Sequence, residues 1–237
     1  MRKRRGIMPT NRLEAFSDGV LAIIITIMVL ELHAPHIGDV RALLPLLPKL
    51  CSYVLSFVYL GIYWNNHHHM FQVTERINGG VLWANLHLLF WLSLFPFVTD
   101  WIGETHLAVA PTVCYGVVLF MAAVAYWILQ TAIIRNQGPE SQLARAVGAD
   151  WKGKISPPLY ATAIAAGFWK PIISVVIYVA IALMWLVPDP RIERTMQHEQ
   201  QSARGANRGI RCASEAVALR NLLTLDSLKF QSHEHRN

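Results

Sequence analysis

Charge is what this sequence has least of. Only 15% of its 237 residues are Asp, Glu, Lys or Arg, against about 25% in soluble domains, and this argues against a largely hydrated surface. Cysteine is also sparse. Cys51, Cys114 and Cys212 lie far apart, without the spacing of a disulfide framework or a zinc site. No paired-carboxylate, Ser-His-Asp or Cys-His arrangement stands out, which argues against an enzyme. The net charge of +6 lies in short segments between and beside apolar runs, so nucleic acid is not the expected partner. No internal repeat is visible.

What is present is apolar. Hydrophobic residues make up 54% of the chain and mean hydropathy is +0.33. Eight Trp and seven Tyr suit a chain that crosses membrane interfaces repeatedly, where amphipathic rings settle. A spanning helix needs ~20 mostly apolar residues, and six candidates occur, at 13–33, 43–66, 79–101, 109–134, 156–169 and 171–188. The expected fold is all-α, a polytopic protein whose first partner is the lipid bilayer. The last two candidates are short and meet at Lys170-Pro171, which reads as a tight hairpin or as one kinked helix. Pro157 and Pro158 read as a helix start, since proline is tolerated in the first turn.

Basic residues discriminate between those topologies, because Lys and Arg concentrate in cytoplasmic loops. The N-terminus "MRKRRGIMPTNR" is heavily basic and is expected inside. Alternation then puts 67–78 inside with Arg76, 102–108 outside without Lys or Arg, and 135–155 inside with Arg135, Arg145, Lys152 and Lys154. Six transmembrane helices place Arg191 and Arg194 of "PDPRIER" inside, whereas a single span over 156–188 places them outside. Six spans fit the bias. The expected organisation is a basic cytoplasmic stretch at 1–11, a transmembrane domain at 12–189 and a polar cytoplasmic tail at 190–237. Both termini would face the cytoplasm of a cell (plasma or inner) membrane. The tail carries Leu219, Leu222 and Leu223 at helical spacing, as in an amphipathic helix or a weakly ordered tail. A cleaved signal peptide is the competing reading of the N-terminus, but "ELHAPHIGDV" offers no clean small-x-small site.

The first apolar run, "RLEAFSDGVLAIIITIMVLEL" (12–32), opens with polar residues that hydrocarbon disfavours unless they face a protein interior. At ~100° per residue, Phe16, Ile23, Ile27 and Leu30 fall on one stripe, with Arg12 and Gly19 on the same side. Ser17 and Asp18 project elsewhere, toward Leu21, Ile24 and Ile25. The run resembles the first helix of the transmembrane protein 175 family, whose pattern Arg-x-x-x-Phe-Ser-Asp-Gly/Ala is carried here by Arg12, Phe16, Ser17, Asp18 and Gly19. "GIYWNNHHHMF" resembles the end of that family's second helix, and "LWANLHLLFWLSLFPFVTDWIGE", with Asn85 and Pro96, resembles its third. "PPLYATAIAAGFWKPIISVVIYVAIALMWLVPDPRIER" resembles its fifth and sixth. The likeness covers about residues 10–195.

The resemblance implies a homotetrameric potassium channel with the first helix of each subunit lining the axis and potassium as the permeant ion. No cofactor is implied. Ile23, Ile27 and Leu30 would then form apolar rings and the constriction, since no TVGYG-type filter is present. Thr26, beside the stripe, would offer its hydroxyl to an ion or a neighbour, or else to its own preceding turn. Glu31 at the outer end would draw cations to the mouth or stand as a solvated interfacial residue. Ser17 and Asp18 would bond to polar groups on helices two and three, the candidates being Trp64, Asn65, His67, His68 and Asn85, and so fix the pore helix in one rotation. Arg12 would sit at the inner mouth or between subunits. The triplet His67-His68-His69 points three ways on a helix and lacks a carboxylate at ligand spacing, so no metal site is expected. A secondary transporter of a cation or small solute is the alternative. Against it, the central thirds of the spans lack Asp, Glu, Lys and Arg.

Overall fold

Hydrocarbon offers no hydrogen bond to a bare amide, so a chain of this composition must satisfy its backbone internally, and helices do so. A computed structural model of the chain describes residues 10–36, 38–74, 77–147 and 151–186. The elements are α1 (Thr10–Leu30), a 3-10 helix (Val40–Leu46), α2 (Leu47–Gln72), α3 (Gly79–Ser93), α4 (Phe95–Glu104), α5 (Val109–Gln137), α6 (Gln142–Val147), α7 (Trp151–Gly167) and α8 (Pro171–Leu186). The N-terminal basic stretch, Arg76, Arg191, Arg194, Cys212 and the tail residues Leu219, Leu222 and Leu223 lie outside the described residues.

Four helical runs are long and apolar enough to cross a bilayer: Thr10–Leu30, Val40–Gln72, Gly79–Glu104 and Val109–Gln137. The chain is therefore a multi-pass membrane protein. Helices α7 and α8 have 17 and 16 residues, about 25 Å each at ~1.5 Å per residue, less than the ~30 Å hydrocarbon core. They form a hairpin rather than one kinked helix. Ser174 Oγ donates to the Ala163 carbonyl (2.6 Å) and Trp185 Nε1 donates to Ser156 Oγ (2.9 Å), so the two run antiparallel in contact.

Several boundaries differ from the sequence reading. Helix α2 continues beyond 66 to Gln72, so His67, His68 and His69 occupy its last turns. The third run breaks at Leu94, ahead of Pro96 in the first turn of α4, because proline has no N–H to continue the ladder. Pro157 and Pro158 do not start a helix. Helix α7 begins at Trp151 and carries both inside.

Helix ends are closed by side chains and by backbone geometry. Asn78 Oδ1 accepts from the Val81 N–H (2.9 Å), capping α3, while its Nδ2 donates to Asn136 Oδ1 (2.8 Å) on α5. Gly138 follows α5 with φ 101° and returns its N–H to the Ile134 carbonyl (2.8 Å). Helix α5 packs along α3 on one side and α7 on the other, and α2 packs on α4. Three tyrosines are fully buried among these helices, and each hydroxyl has a partner. Tyr59 donates to the Tyr178 carbonyl (2.7 Å), Tyr115 meets Ser56 Oγ (2.9 Å), and Tyr178 donates to the Thr112 carbonyl (3.3 Å).

Tyr178 lies so close to α5 that a Cβ on Gly116 would overlap its hydroxyl. Gly116→Ala is expected to lower stability by ~1–3 kcal/mol through overpacking, read as a drop in Tm of the purified protein in detergent. Adding Tyr178→Phe should recover part of the loss only, since the retained ring carbon Cζ (2.8 Å) and Ile164 Cγ1 (2.9 Å) would still crowd the new carbon.

Candidate functional site: the two faces of the first helix

Among the described residues of one chain, α1 is covered on one side only. Leu13, Ser17, Leu21, Ile24 and Met28 are buried, none more than 4% exposed. Their spacing of four, four, three and four residues is one helix face. The opposite face is bare. Phe16 is 51% exposed, Ile23 59%, Ile27 41% and Leu30 73%, and Arg12, Gly19 and Thr26 are exposed beside them. Thr26 Oγ1 donates to the Ile23 carbonyl (2.8 Å), satisfied by its own turn.

The buried face is held by a polar chain at the end where α1 begins, here the proximal end. Ser17 Oγ donates to the Leu13 carbonyl (2.9 Å) and accepts from Asn85 Nδ2 (2.9 Å) on α3. Asn85 Oδ1 lies 2.8 Å from His67 Nε2 on α2. A carbonyl oxygen only accepts, so His67 carries its proton on Nε2. Its Nδ1 is buried without a hydrogen-bond partner, and its ring stacks on Phe71 at 4.4 Å. One turn away a second cluster reaches the same helix. Trp64 Nε1 donates to Asp18 Oδ1 (3.0 Å), and His68 Nδ1 meets Glu14 Oε1 (2.7 Å). Gln72 Nε2 donates to His68 Nε2 (2.8 Å). Since that nitrogen accepts, Nδ1 carries the proton and donates to Glu14. Trp64 and His68 stack at 5.8 Å.

At the distal end, hydroxyls and an ion pair replace the amides. Thr99 Oγ1 on α4 donates to Met28 Sδ (3.9 Å) and lies 2.6 Å from Ser56 Oγ, itself 2.9 Å from the Tyr115 hydroxyl. With Thr99 donating to sulfur, Ser56 donates to Thr99 and Tyr115 donates to Ser56. Beyond them Lys49, only 13% exposed at its side chain, approaches Asp100 Oδ1 at 2.6 Å and bonds Glu104 Oε1 at 3.2 Å. That Asp100 oxygen is itself buried, and the lysine ammonium at 2.6 Å is what compensates it. Gly103 permits the close approach, since a Cβ there would stand 2.8 Å from Lys49 Cα. Glu31, Asp100 and Glu104 share a depression of about 410 Å³ beside the end of α1.

A sequence profile of the family described as "Endosomal/lysosomal potassium channel TMEM175" matches residues 12–96, the stretch that carries α1 and most of its partners. A potassium channel of Chryseobacterium sp. (strain P1-3) is 53% identical over 190 residues, covering 80% of this chain and 99% of that one. The chain belongs to the TMEM175 family. A crystal structure described as a lysosomal potassium-selective channel TMEM175 homolog from Chamaesiphon minutus superposes with a TM-score of 0.65 at 28% identity, covering 75% of this chain and 96% of that one. The zebrafish (Danio rerio) protein named endosomal/lysosomal proton channel TMEM175 is 29% identical over 132 residues, which cover 53% of this chain and 24% of its own length. TMEM175 proteins are ion channels, not enzymes.

The family motif residues do not all meet. Ser17, Asp18, Trp64, His67, His68 and Asn85 are brought together by the bonds above. Asn65 is not among them. Residues 64, 67 and 68 are spaced i, i+3, i+4 and share a face toward α1, whereas Asn65 is turned ~100° away and is exposed. Arg12 and Phe16 lie on the bare face with Ile23, Ile27 and Leu30. The sequence reading passed over Glu14, Gln72, Ser56, Thr99 and the Lys49 ion pair. Glu14 stands one helical turn before Asp18, the spacing that would have marked it. Among the described residues no three His, Cys, Asp or Glu side chains converge as metal ligands.

Asn85 carries both bonds of the proximal chain, so Asn85→Ala leaves His67 Nε2–H and Ser17 unmatched and should destabilise by about 1–3 kcal/mol. Ser17→Ala removes one partner only and should do less. The Ser17→Ala/Asn85→Ala double-mutant cycle, followed by thermal unfolding in detergent, should show a coupling above ~0.5 kcal/mol. Additive losses would mean that the two side chains do not act as one unit.

Proposed function

We propose that this chain is the subunit of a homotetrameric, potassium-over-sodium selective channel of the cell membrane, with six helices per subunit and α1 lining the pore. The observation that carries the reading is the bare apolar face of α1. Phe16, Ile23, Ile27 and Leu30 are uncovered on a helix whose other face is fastened by hydrogen bonds to α2 and α3. A helix fixed in rotation presents the same four side chains to whatever lies outside the subunit, and four such helices about an axis would stack them as rings. The relatives named as potassium channels support the choice of ion.

Apolar rings select by dehydration. Potassium holds its water less tightly than sodium, so a narrow ring of Ile23 and Ile27 penalises potassium less, and further narrowing closes the path by dewetting. Glu31, with Asp100 and Glu104 nearby, would supply negative potential at the outer mouth. Orientation follows the positive-inside rule. Arg12, Arg135, Arg145, Lys152 and Lys154 lie toward the proximal end, which we place in the cytoplasm together with both termini. The distal end carries Arg41, Lys170 and Lys49, the last paired with carboxylates.

The test is the reversal potential under opposed potassium and sodium gradients. Ile23→Asn and Ile27→Asn should admit partly hydrated ions and shift it toward the sodium equilibrium potential by tens of millivolts, while Ile23→Met, still apolar, should shift it less. Unchanged reversal potentials in both Asn variants would place selectivity elsewhere.

A further inference from the structure

Away from α1, in the proximal half of the bundle, α2, α5, α7 and α8 enclose a cavity of about 60 Å³ to which α1 contributes no residue. Six aromatic side chains line it: Tyr59, Tyr63, Tyr126, Trp127, Tyr160 and Trp185. At ~10–15 Å³ per water, its volume holds about four to six waters. That is well below the ~300–1,000 Å³ of a pocket for a drug-sized ligand, so an acyl chain or a nucleotide does not fit.

Its chemistry narrows the occupant further. Among the described residues no Asp, Glu, Lys or Arg lines the cavity, so an anion finds no charged partner there. An inorganic cation of the calcium or magnesium kind takes about six oxygen ligands, carboxylates among them, and the described lining has no carboxylate and has two of its oxygens already committed. The Tyr59 hydroxyl donates to the Tyr178 carbonyl (2.7 Å), and Ser156 Oγ lies between the Lys152 carbonyl (2.8 Å) and Trp185 Nε1 (2.9 Å). What remains is ring surface. Tyr63 and Tyr126 meet at 63° with centroids 6.2 Å apart, two walls of a corner, and Trp127, 63% exposed, stands at the rim. Ring faces attract weakly hydrated cations, and the amides of Asn66 and Gln130 also line the space. We propose that this cavity is a binding site for a small alkylammonium group of the choline or tetramethylammonium class, separate from the permeation path.

The experiment is calorimetric titration of the full-length protein in phosphatidylglycerol nanodiscs with choline, tetramethylammonium and 3,3-dimethylbutan-1-ol, the uncharged carbon analogue of choline. Both cations should bind at least tenfold tighter than the alcohol. Trp127→Leu should weaken choline about tenfold, Tyr126→Phe should stay within twofold, and the pore-face variant Ile27→Asn should bind as the unmodified protein does. Trp127 is largely exposed, so its variant should keep the native elution profile and Tm; if it does not, Tyr63→Leu takes its place. Nanodiscs in which part of the phosphatidylglycerol is replaced by phosphatidylcholine or, at the same share, by an uncharged glycolipid keep the surface charge equal and distinguish the source of the group. A weaker apparent choline affinity in the phosphatidylcholine discs assigns the site to a lipid headgroup, and an equal one assigns it to a soluble cation. Equal binding of the alcohol and choline, no heat at millimolar cation, or affinity lost in Ile27→Asn but kept in Trp127→Leu and Tyr63→Leu would each overturn the proposal.

Discussion

A lipid tail is as apolar as a leucine, so in hydrocarbon a helix gains little by turning one apolar face rather than another toward protein. The rotation of α1 is therefore decided by its few polar side chains. Ser17 is buried, and it must find a donor and an acceptor inside the subunit. Asn85 Nδ2 supplies the donor, the Leu13 carbonyl accepts the hydroxyl's hydrogen bond, and Asn85 Oδ1 in turn accepts one from His67 Nε2. Three helices are joined through one primary amide. Asp18 with Trp64, and Glu14 with His68, fasten the same helix on an adjoining side. Once these bonds are made, Ile23 and Ile27 have no choice but the uncovered face.

The distal half is held by different means. Helix α4 starts afresh after Leu94, and that break lets it lie against both α1 and α2. Thr99 contacts the Met28 sulfur while its hydroxyl chain runs through Ser56 to Tyr115. The Lys49 pair with Asp100 and Glu104 holds α4 to α2 where Gly103 allows the backbones to meet. With side chains 27% and 61% exposed at Asp100 and Glu104, the cluster is partly solvated and contributes little net stability, so its part is to set position. The proximal amide chain and the distal hydroxyl chain thus act on the same buried stripe of α1, at Ser17 and Met28, eleven residues apart in sequence.

How much of this the sequence disclosed depended on which physical signal each part leaves. Composition and run length disclose helices and membrane, and the helical period discloses two faces on α1, because both signals are local. The meeting of Ser17, Asp18, Trp64, His67, His68 and Asn85 was anticipated as a set but not as pairs, since pairing depends on how α2 and α3 lie against α1. Asn65 stands outside that set, because helical phase turns it ~100° from Trp64 and leaves it exposed. The Leu94 break was foreseeable from Pro96 yet hidden by an unbroken apolar run. The ion pair of Lys49 with Asp100 and Glu104 joins residues more than fifty apart and leaves no local trace, nor does the tyrosine-lined cavity, whose walls come from four helices.

The central claim is that the polar bonds of α1 turn one particular face toward the pore. Single cysteines along α1, tested for block of potassium current by a water-soluble thiol reagent, measure this directly. Block at 23, 27 and 30, and protection at 21, 24 and 28, is the pattern the account requires. Block at 21, 24 or 28 with silence at 23, 27 and 30 would put the opposite face on the ion path and contradict it.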